Sequence, residues 1–221
     1  MIHSVKLKLQ RFYRDESGVA AIELLFVVPI LFWVLMSTLV FFDGFRAKGI
    51  SIRAALTVAD MVSREEDPVN AQYVDGTKQL LRALTESEDD PDVRMTAYQY
   101  SEGDDRLLVV WSETDGFDQV HDDASIIAER PRLPDLAHGE ISLLVETRTR
   151  YQAPFRTALP GFIPFQVSQM DQVTWFSYVF ISPRPAEVCF EDAGGNEFCN
   201  RNSDLDDPDD PNDGSSANPD V

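Results

Sequence analysis

The chain has 221 residues and a formal net charge of −19, with 38 acidic against 19 basic side chains. That length accommodates one ordinary domain with an anchor and a tail, and so acidic a protein would be repelled by nucleic acid, which is itself a polyanion. Its two cysteines are too few for a cysteine-rich zinc site with four ligands.

The basic residues are concentrated at the N-terminus. Residues 1–18 hold four Lys and Arg side chains against Asp15 and Glu16, whereas the chain as a whole is strongly acidic. We predict a basic cytoplasmic leader over residues 1–18.

From Val19 to Phe42 the sequence is apolar, and Glu23 is the only ionisable residue. About 20 apolar residues are enough to cross a bilayer as a helix. A secretory signal peptide has a shorter apolar core, of roughly 7 to 15 residues, and then a small-residue cleavage site. The run therefore predicts a retained transmembrane helix over residues 19–42.

The orientation of this helix follows from the positive-inside rule, which weighs Lys and Arg close to the span. Arg46, Lys48 and Arg53 follow the span, so the local bias is small. The short basic segment before it and the long acidic part after it favour a cytoplasmic N-terminus and an extracytoplasmic C-terminal part.

Glu23 admits two interpretations. A carboxylate at the centre of a membrane helix costs on the order of 2.5 to 3.5 kcal/mol on insertion scales, and Glu23 lies nearer the cytoplasmic end. It either sits at headgroup depth without a special role or requires a cationic partner.

The run from Arg14 to Leu24, RDESGVAAIEL, followed by an apolar helix containing Pro29, resembles the start of the TadE/TadG-like family of tight-adherence, Flp-type pilus systems. It is also similar to a type IV prepilin signal. The resemblance, which covers roughly residues 11 to 60, implies that a prepilin peptidase cuts after Gly18 and leaves Val19 as the new N-terminus, with Glu23 at the fifth mature position.

This spacing has a physical meaning of its own. A new ammonium at Val19 would lie one helical turn from the carboxylate of Glu23, on the same helix face. Within one subunit or between staggered neighbours, the two charges would neutralise each other, and assembly would satisfy the buried charge.

Two helices are predicted after the apolar run. Apolar residues spaced by three and four continue as an amphipathic helix until Pro68, with Gly44 and Gly49 as candidate bending points. A second helix is predicted from Asn70 to Thr85.

The period then changes to that of strands. Residues Val93 to Ser101 alternate, a turn-like segment follows, and Arg106 to Glu113 completes a hairpin signal. Glu140 to Gln152 and Val173 to Ile181 are predicted as further antiparallel strands. Together these elements predict an α+β domain over residues 43–201.

The connections between these strands are punctuated by proline. Ala124 to Glu129 is predicted as a short helix, and Ala153 to Gln166 contains more apolar residues than a solvated loop requires. Those residues either cover the sheet or form an exposed patch for a partner.

Cys189 and Cys199 flank a segment centred on Gly194, Gly195 and Asn196, which favours a tight turn. The two sulfurs are therefore expected to form a disulfide in an oxidising periplasm.

The last segment, residues 202–221, contains seven aspartates and few apolar residues. Such a composition cannot bury a core, so we predict a disordered acidic tail. Calcium binding is the alternative, although the aspartates do not have the EF-hand spacing.

Catalytic signatures are not found. His121 and His138 fall in segments that read as polar loops, His3 falls in the leader, and no metalloprotease or phosphate-binding motif surrounds them. The pair of aspartates after His121 has metal-binding chemistry, but a solvated loop is the commoner interpretation.

The sequence therefore predicts a non-enzymatic pilus-assembly protein without a cofactor or bound metal, a minor pilin or pseudopilin of the bacterial inner membrane that would contact pilin subunits, other assembly components, a prepilin peptidase and the lipid bilayer. Whether it enters the fibre is left open. The alternative is an uncleaved bitopic scaffold or envelope receptor with a periplasmic binding domain.

Overall fold

The computed structural model describes residues 18–87, 89–101, 105–153, 172–185 and 188–199. The chain divides into two compact units, one of residues 1–45 with 153–171 and one of residues 46–152 with 172–221. The predicted leader up to residue 17, most of the 153–166 connection and the acidic tail lie outside the described residues.

Helix α1 (Val19–Val62) is 44 residues long and contains Pro29. It continues through Gly44 and Gly49, the two positions considered as bending points. Its C-terminal part belongs to the second unit and packs one face on the core, where Ala55, Val58 and Val62 are fully buried. Their spacing of three and four residues is that of one helix face, so this part is amphipathic as predicted.

Helix α2 (Ala71–Thr85) begins one residue after the predicted start, because Asn70 is its N-cap. The Asn70 side chain accepts a hydrogen bond from the Tyr73 backbone N–H at 2.9 Å, which satisfies one of the free donors at a helix start. The helix ends at Glu86, whose backbone is left-handed, with φ 50°.

Four antiparallel strands form the main sheet: β1 (Asp92–Ser101), β2 (Arg106–Asp115), β3 (Ile141–Gln152) and β4 (Gln172–Ile181). Their spatial order is β2-β1-β3-β4. All four agree with the predicted strands to within two residues, and the observed class is the predicted α+β.

The two faces of the sheet are covered differently. On one face Val93, Met95 and Val145 join the core formed with α1 and α2. On the other, Tyr98, Leu107 and Leu144 pack with Ile126 of helix α3 (Asp123–Glu129). Because strand side chains alternate between faces, Arg94 of β1 and Glu146 of β3 fall on the α3 face.

A small hairpin follows the sheet. Strands β5 (Phe190–Glu191) and β6 (Glu197–Phe198) pair with each other. Val69 bridges Phe190, and the Phe190 ring stacks on Trp111 with 5.5 Å between the ring centroids. The hairpin is thereby fixed to the core.

Candidate functional site

The first candidate site is the N-terminal part of α1, where the residues of the predicted processing site lie. Gly18 is exposed and directly precedes Val19, the first residue of the helix. Glu23 follows one turn later, with an exposed side chain. Within the described part of the chain, no cationic side chain forms an ion pair with Glu23.

The side chains from Leu24 to Phe32 are apolar and exposed around the whole helix. Five consecutive residues, Leu24, Leu25, Phe26, Val27 and Val28, are each at least 49% exposed, and Phe42 is 74% exposed. Successive helical residues are separated by about 100°, so these five leave no face of the helix covered. A helix of a water-soluble protein would instead hide an apolar stripe.

Length agrees with this pattern. Among the described residues, one helix, near the N-terminus, is long and apolar enough to cross a membrane. At about 1.5 Å per residue, the run from Val19 to Phe42 is about 36 Å long, against a hydrocarbon core of about 30 Å.

The second candidate site is a buried charge cluster on the α3 face of the sheet. The Arg94 guanidinium donates from Nε and Nη2 to the two carboxylate oxygens of Glu146, at 2.6 and 2.8 Å. His121 Nε2 lies 2.9 Å from the same carboxylate. The Glu146 side chain is only 4% exposed.

These partners determine the charge state of Glu146. Burial by itself would raise the pKa of this carboxyl, but the hydrogen bonds and positive charge supplied by His121 and Arg94 outweigh burial and hold the pKa below its usual value. Glu146 is therefore an anion at neutral pH, and removal of Arg94 would leave this buried charge without its bidentate partner.

The expectation that His121 lies in a solvated loop is wrong, because His121 is 7% exposed. The two aspartates that follow His121 have structural roles. Asp122 caps α3 by accepting from the Ser125 backbone N–H at 2.8 Å, and Asp123 accepts from the Val109 N–H at 2.8 Å. Among the described residues, no three potential metal ligands are grouped together.

His121 also contacts a serine, which produces the order Ser–His–Glu known from hydrolases. Ser125 Oγ lies 3.1 Å from His121 Nδ1. The same hydroxyl accepts from the Asp122 N–H at 2.8 Å and donates to the Asp122 carbonyl at 3.0 Å. The first of these hydrogen bonds belongs to the capping box of α3, so Ser125 has a structural role at the helix start.

Arg94 and a second arginine, Arg148, together hold the loop that leads to His121. The guanidinium groups of Arg94 and Arg148 both lie over the Phe117 ring, 4.8 and 4.9 Å from its centroid. Arg148 also donates to the Gly116 carbonyl at 3.0 Å and forms an ion pair with buried Asp92. The arginines thus connect the sheet to the loop over it.

Gly116 lies where a side chain would not fit. Its φ is +107°, and a Cβ at this position would come within 2.2 Å of Asp92 Oδ1. A left-handed backbone next to a buried carboxylate therefore requires glycine.

The third feature is the predicted disulfide. Cys189 and Cys199 are bonded, with their Cα atoms 4.1 Å apart. The Asp192 side chain orders the turn between them by accepting from the Gly194 and Asn196 backbone N–H groups at 2.7 and 2.9 Å. The pKa of Asp192 is lowered by a further hydrogen bond from the Asn196 side-chain amide, at 2.9 Å, and by these backbone bonds.

No family model, curated protein or solved structure matches this chain. Sequence reasoning predicted the bond between the two cysteines but missed the cluster around Glu146, and the roles predicted for Gly18, Val19 and Glu23 stay predictions. The one sequence signal for that cluster is polar residues at strand positions that alternate with buried apolar ones, as Arg94 and Glu146 do.

Proposed function

We propose that this chain is a single-pass protein of the bacterial inner membrane and acts in pilus assembly as a TadE-like minor pilin or pseudopilin. The observation that carries the proposal is the ring of exposed apolar side chains from Leu24 to Phe32. Each fully buried Leu or Phe side chain contributes about 1.5 to 3 kcal/mol, so water is an unfavourable surrounding for this segment and a bilayer is a favourable one.

The disulfide supports a periplasmic location for the C-terminal domain. Disulfides persist in oxidising compartments and are rare in the cytosol. Cys189 and Cys199 belong to the second unit, so we place the N-terminus in the cytoplasm and this unit in the periplasm, with residues 202–221 as an acidic tail beyond it.

Glu23 is the residue through which assembly would be driven. Cleavage after Gly18 creates an ammonium at Val19, which neutralises a Glu23 carboxylate in the same subunit or a neighbouring one. The partners are then pilin subunits and other assembly components, together with the prepilin peptidase that makes the cut. The chain needs no catalytic group, cofactor or metal for this role.

Two measurements test the proposal, one on membrane-extracted protein and one on pilus assembly by cells. N-terminal sequencing is expected to give Val19 in cells with a prepilin peptidase and Met1 in cells without it. Glu23→Ala is expected to reduce pilus assembly at least about tenfold, because an unpaired charge remains, while Glu16→Ala in the leader serves as the matched control. An intact Met1 end together with normal assembly of the Glu23→Ala strain would refute the pilin role.

The alternative is a bitopic scaffold or envelope receptor whose anchor is never cut. One observation favours this alternative. Arg94 and Arg148 hold the loop over one face of the sheet by donating to the Gln119 and Gly116 carbonyls, each at 3.0 Å. A loop held in this way would offer a binding surface of fixed shape. The alternative predicts the Met1 end in every strain and membrane retention that does not depend on the peptidase.

A further inference from the structure

The part of α1 after residue 45 carries an exposed apolar row beside the face that packs on the core. Ile52 and Leu56 are 41% and 51% exposed, whereas Ala55 and Val58 are fully buried. Gly49 has open space where a side chain would project. The spacing of three and four residues aligns Gly49, Ile52 and Leu56 along the helix, as in the seam of a coiled coil.

The same spacing continues backwards in the sequence through Phe45 and Phe42. Phe45 is 61% exposed. The row is therefore longer than an isolated exposed leucine, which would need no explanation.

Basic residues flank this row. With Gly49 and Leu56 at heptad position a and Ile52 at d, Arg53 falls at the flanking position e and Lys48 at g. Both are exposed, as is Arg46 one heptad earlier. In the described part of the chain none of the three forms an ion pair with a carboxylate, although Lys48 lies 5.3 Å from the Trp175 ring centroid.

The charge pattern changes directly after the row. Asp60, the next e position, already forms ion pairs with Arg64 and Arg184 at 2.8 and 2.9 Å. The basic flanks are thus confined to the row itself.

We propose that the row formed by Gly49, Ile52 and Leu56 docks a helix of a different membrane-anchored protein, in which an apolar row is flanked by carboxylates. This rests on the proposed anchoring, because anchoring places the row just outside the bilayer and holds a partner helix alongside it.

Charge complementarity determines this choice of occupant. A second copy in parallel register would place Lys48 of one chain opposite Arg53 of the other, since position g contacts e of the next heptad in such pairs. Like charges at these positions disfavour self-association and leave carboxylate-flanked helices as the favoured partners. The docking face is therefore specific for a chain other than this one.

The test uses the full chain in nanodiscs of zwitterionic lipid together with designed single-span probe helices. Both probes carry leucine at a and d outside the bilayer; one has glutamate at e and g, and the other has lysine. Association is measured by energy transfer. We expect the glutamate probe to bind at least about tenfold more tightly and the double variant Lys48→Glu with Arg53→Glu to prefer the lysine probe.

The matched control is the double variant Arg64→Glu with Arg132→Glu, which changes the net charge equally and should keep the original preference. Ile52→Ser is expected to weaken binding of both probes, with thermal unfolding confirming that it folds. Equal binding of the two probes would overturn the inference, as would cross-linking of Ile52→Cys chains to each other or association that requires anionic lipid. Failure of the chain to enter nanodiscs would instead overturn the anchoring.

Discussion

Arg94 and Glu146 lie directly opposite each other on neighbouring strands β1 and β3, joined by two parallel hydrogen bonds of 2.6 and 2.8 Å. Such a bidentate ion pair is among the stronger polar contacts in proteins. His121, on the loop before α3, contributes a third contact to the same carboxylate. One buried anion therefore joins two strands and a loop.

Replacement of Glu146 by glutamine should destabilise the domain strongly. The glutamine keeps the size of the side chain but leaves the Arg94 charge without its partner, and breaking a buried ion pair from one side costs about 3 to 5 kcal/mol. Urea unfolding of the full chain in detergent, followed by tryptophan fluorescence, measures this change. Glu66→Gln, at an exposed position, should change stability by less than about 0.5 kcal/mol.

The contribution of Glu146 should also depend on pH. Its pKa is lower in the folded protein than in the unfolded chain, so the folded state binds the proton less readily, and the stabilisation is present above the unfolded value of about 4.3. It is lost as the pH falls through the lower folded value. The stability difference between the native chain and Glu146→Gln should accordingly narrow between about pH 5 and pH 2; a difference that stays constant over this range would contradict the assignment.

Gly116→Ala should be destabilising by at least about 2 kcal/mol, because the new Cβ collides with Asp92 and the positive φ is unfavourable for alanine. Gly76→Ala is the matched control. Gly76 lies inside α2 with open space around it, so alanine there should stabilise by about 0.5 to 1 kcal/mol. Chemical denaturation of the two variants should give shifts of opposite sign.

Reduction of the disulfide, or the double variant Cys189→Ser with Cys199→Ser, should cost about 2 to 3 kcal/mol, as is typical for a short closed loop. Loss of the disulfide should alter the environment of the Trp111 ring, which stacks on Phe190 and donates to the Val188 carbonyl at 2.7 Å. A change in near-ultraviolet circular dichroism on reduction would report this coupling. An unchanged unfolding curve under reducing conditions would show that the hairpin is held by its packing alone.

Leu31→Arg should reduce the fraction of the chain recovered in the membrane. A charged residue near the middle of a spanning helix costs about 2.5 to 3.5 kcal/mol on insertion scales, and Leu31 is 65% exposed in the apolar part of α1. The control is Val120→Arg, at an exposed position on the loop before α3. Carbonate extraction should release the first variant and retain the second.

Local sequence patterns were sufficient to predict the helices and strands of this protein. Asn70 could be recognised as a helix start because a side-chain cap acts on the next few residues. The strands could be recognised because alternation between neighbouring residues is also local. Gly194 and Gly195 identified the turn that brings the two cysteines together for the same reason.

The pairing of strands could not be read in this way. The order β2-β1-β3-β4 places Arg94 beside Glu146, which is 52 residues away in the chain, and His121 reaches the same carboxylate across 25 residues. His121 was wrongly interpreted as solvated because its polar neighbours suggested a loop, while its burial depends on a strand that comes later. A polar residue in sequence does not reveal which distant partner will compensate it.

The sequence by itself determined the apolar run from Val19 to Phe42, in which Glu23 is the only ionisable residue, and the α+β succession of helices and strands, because each depends on residues within a few positions of one another. Only the tertiary structure decided that Glu146 is a buried anion held by Arg94 and His121, and that Gly116 must remain glycine beside Asp92. Those properties arise from the free energy of burying charges and backbone against partners that only the folded sheet brings together.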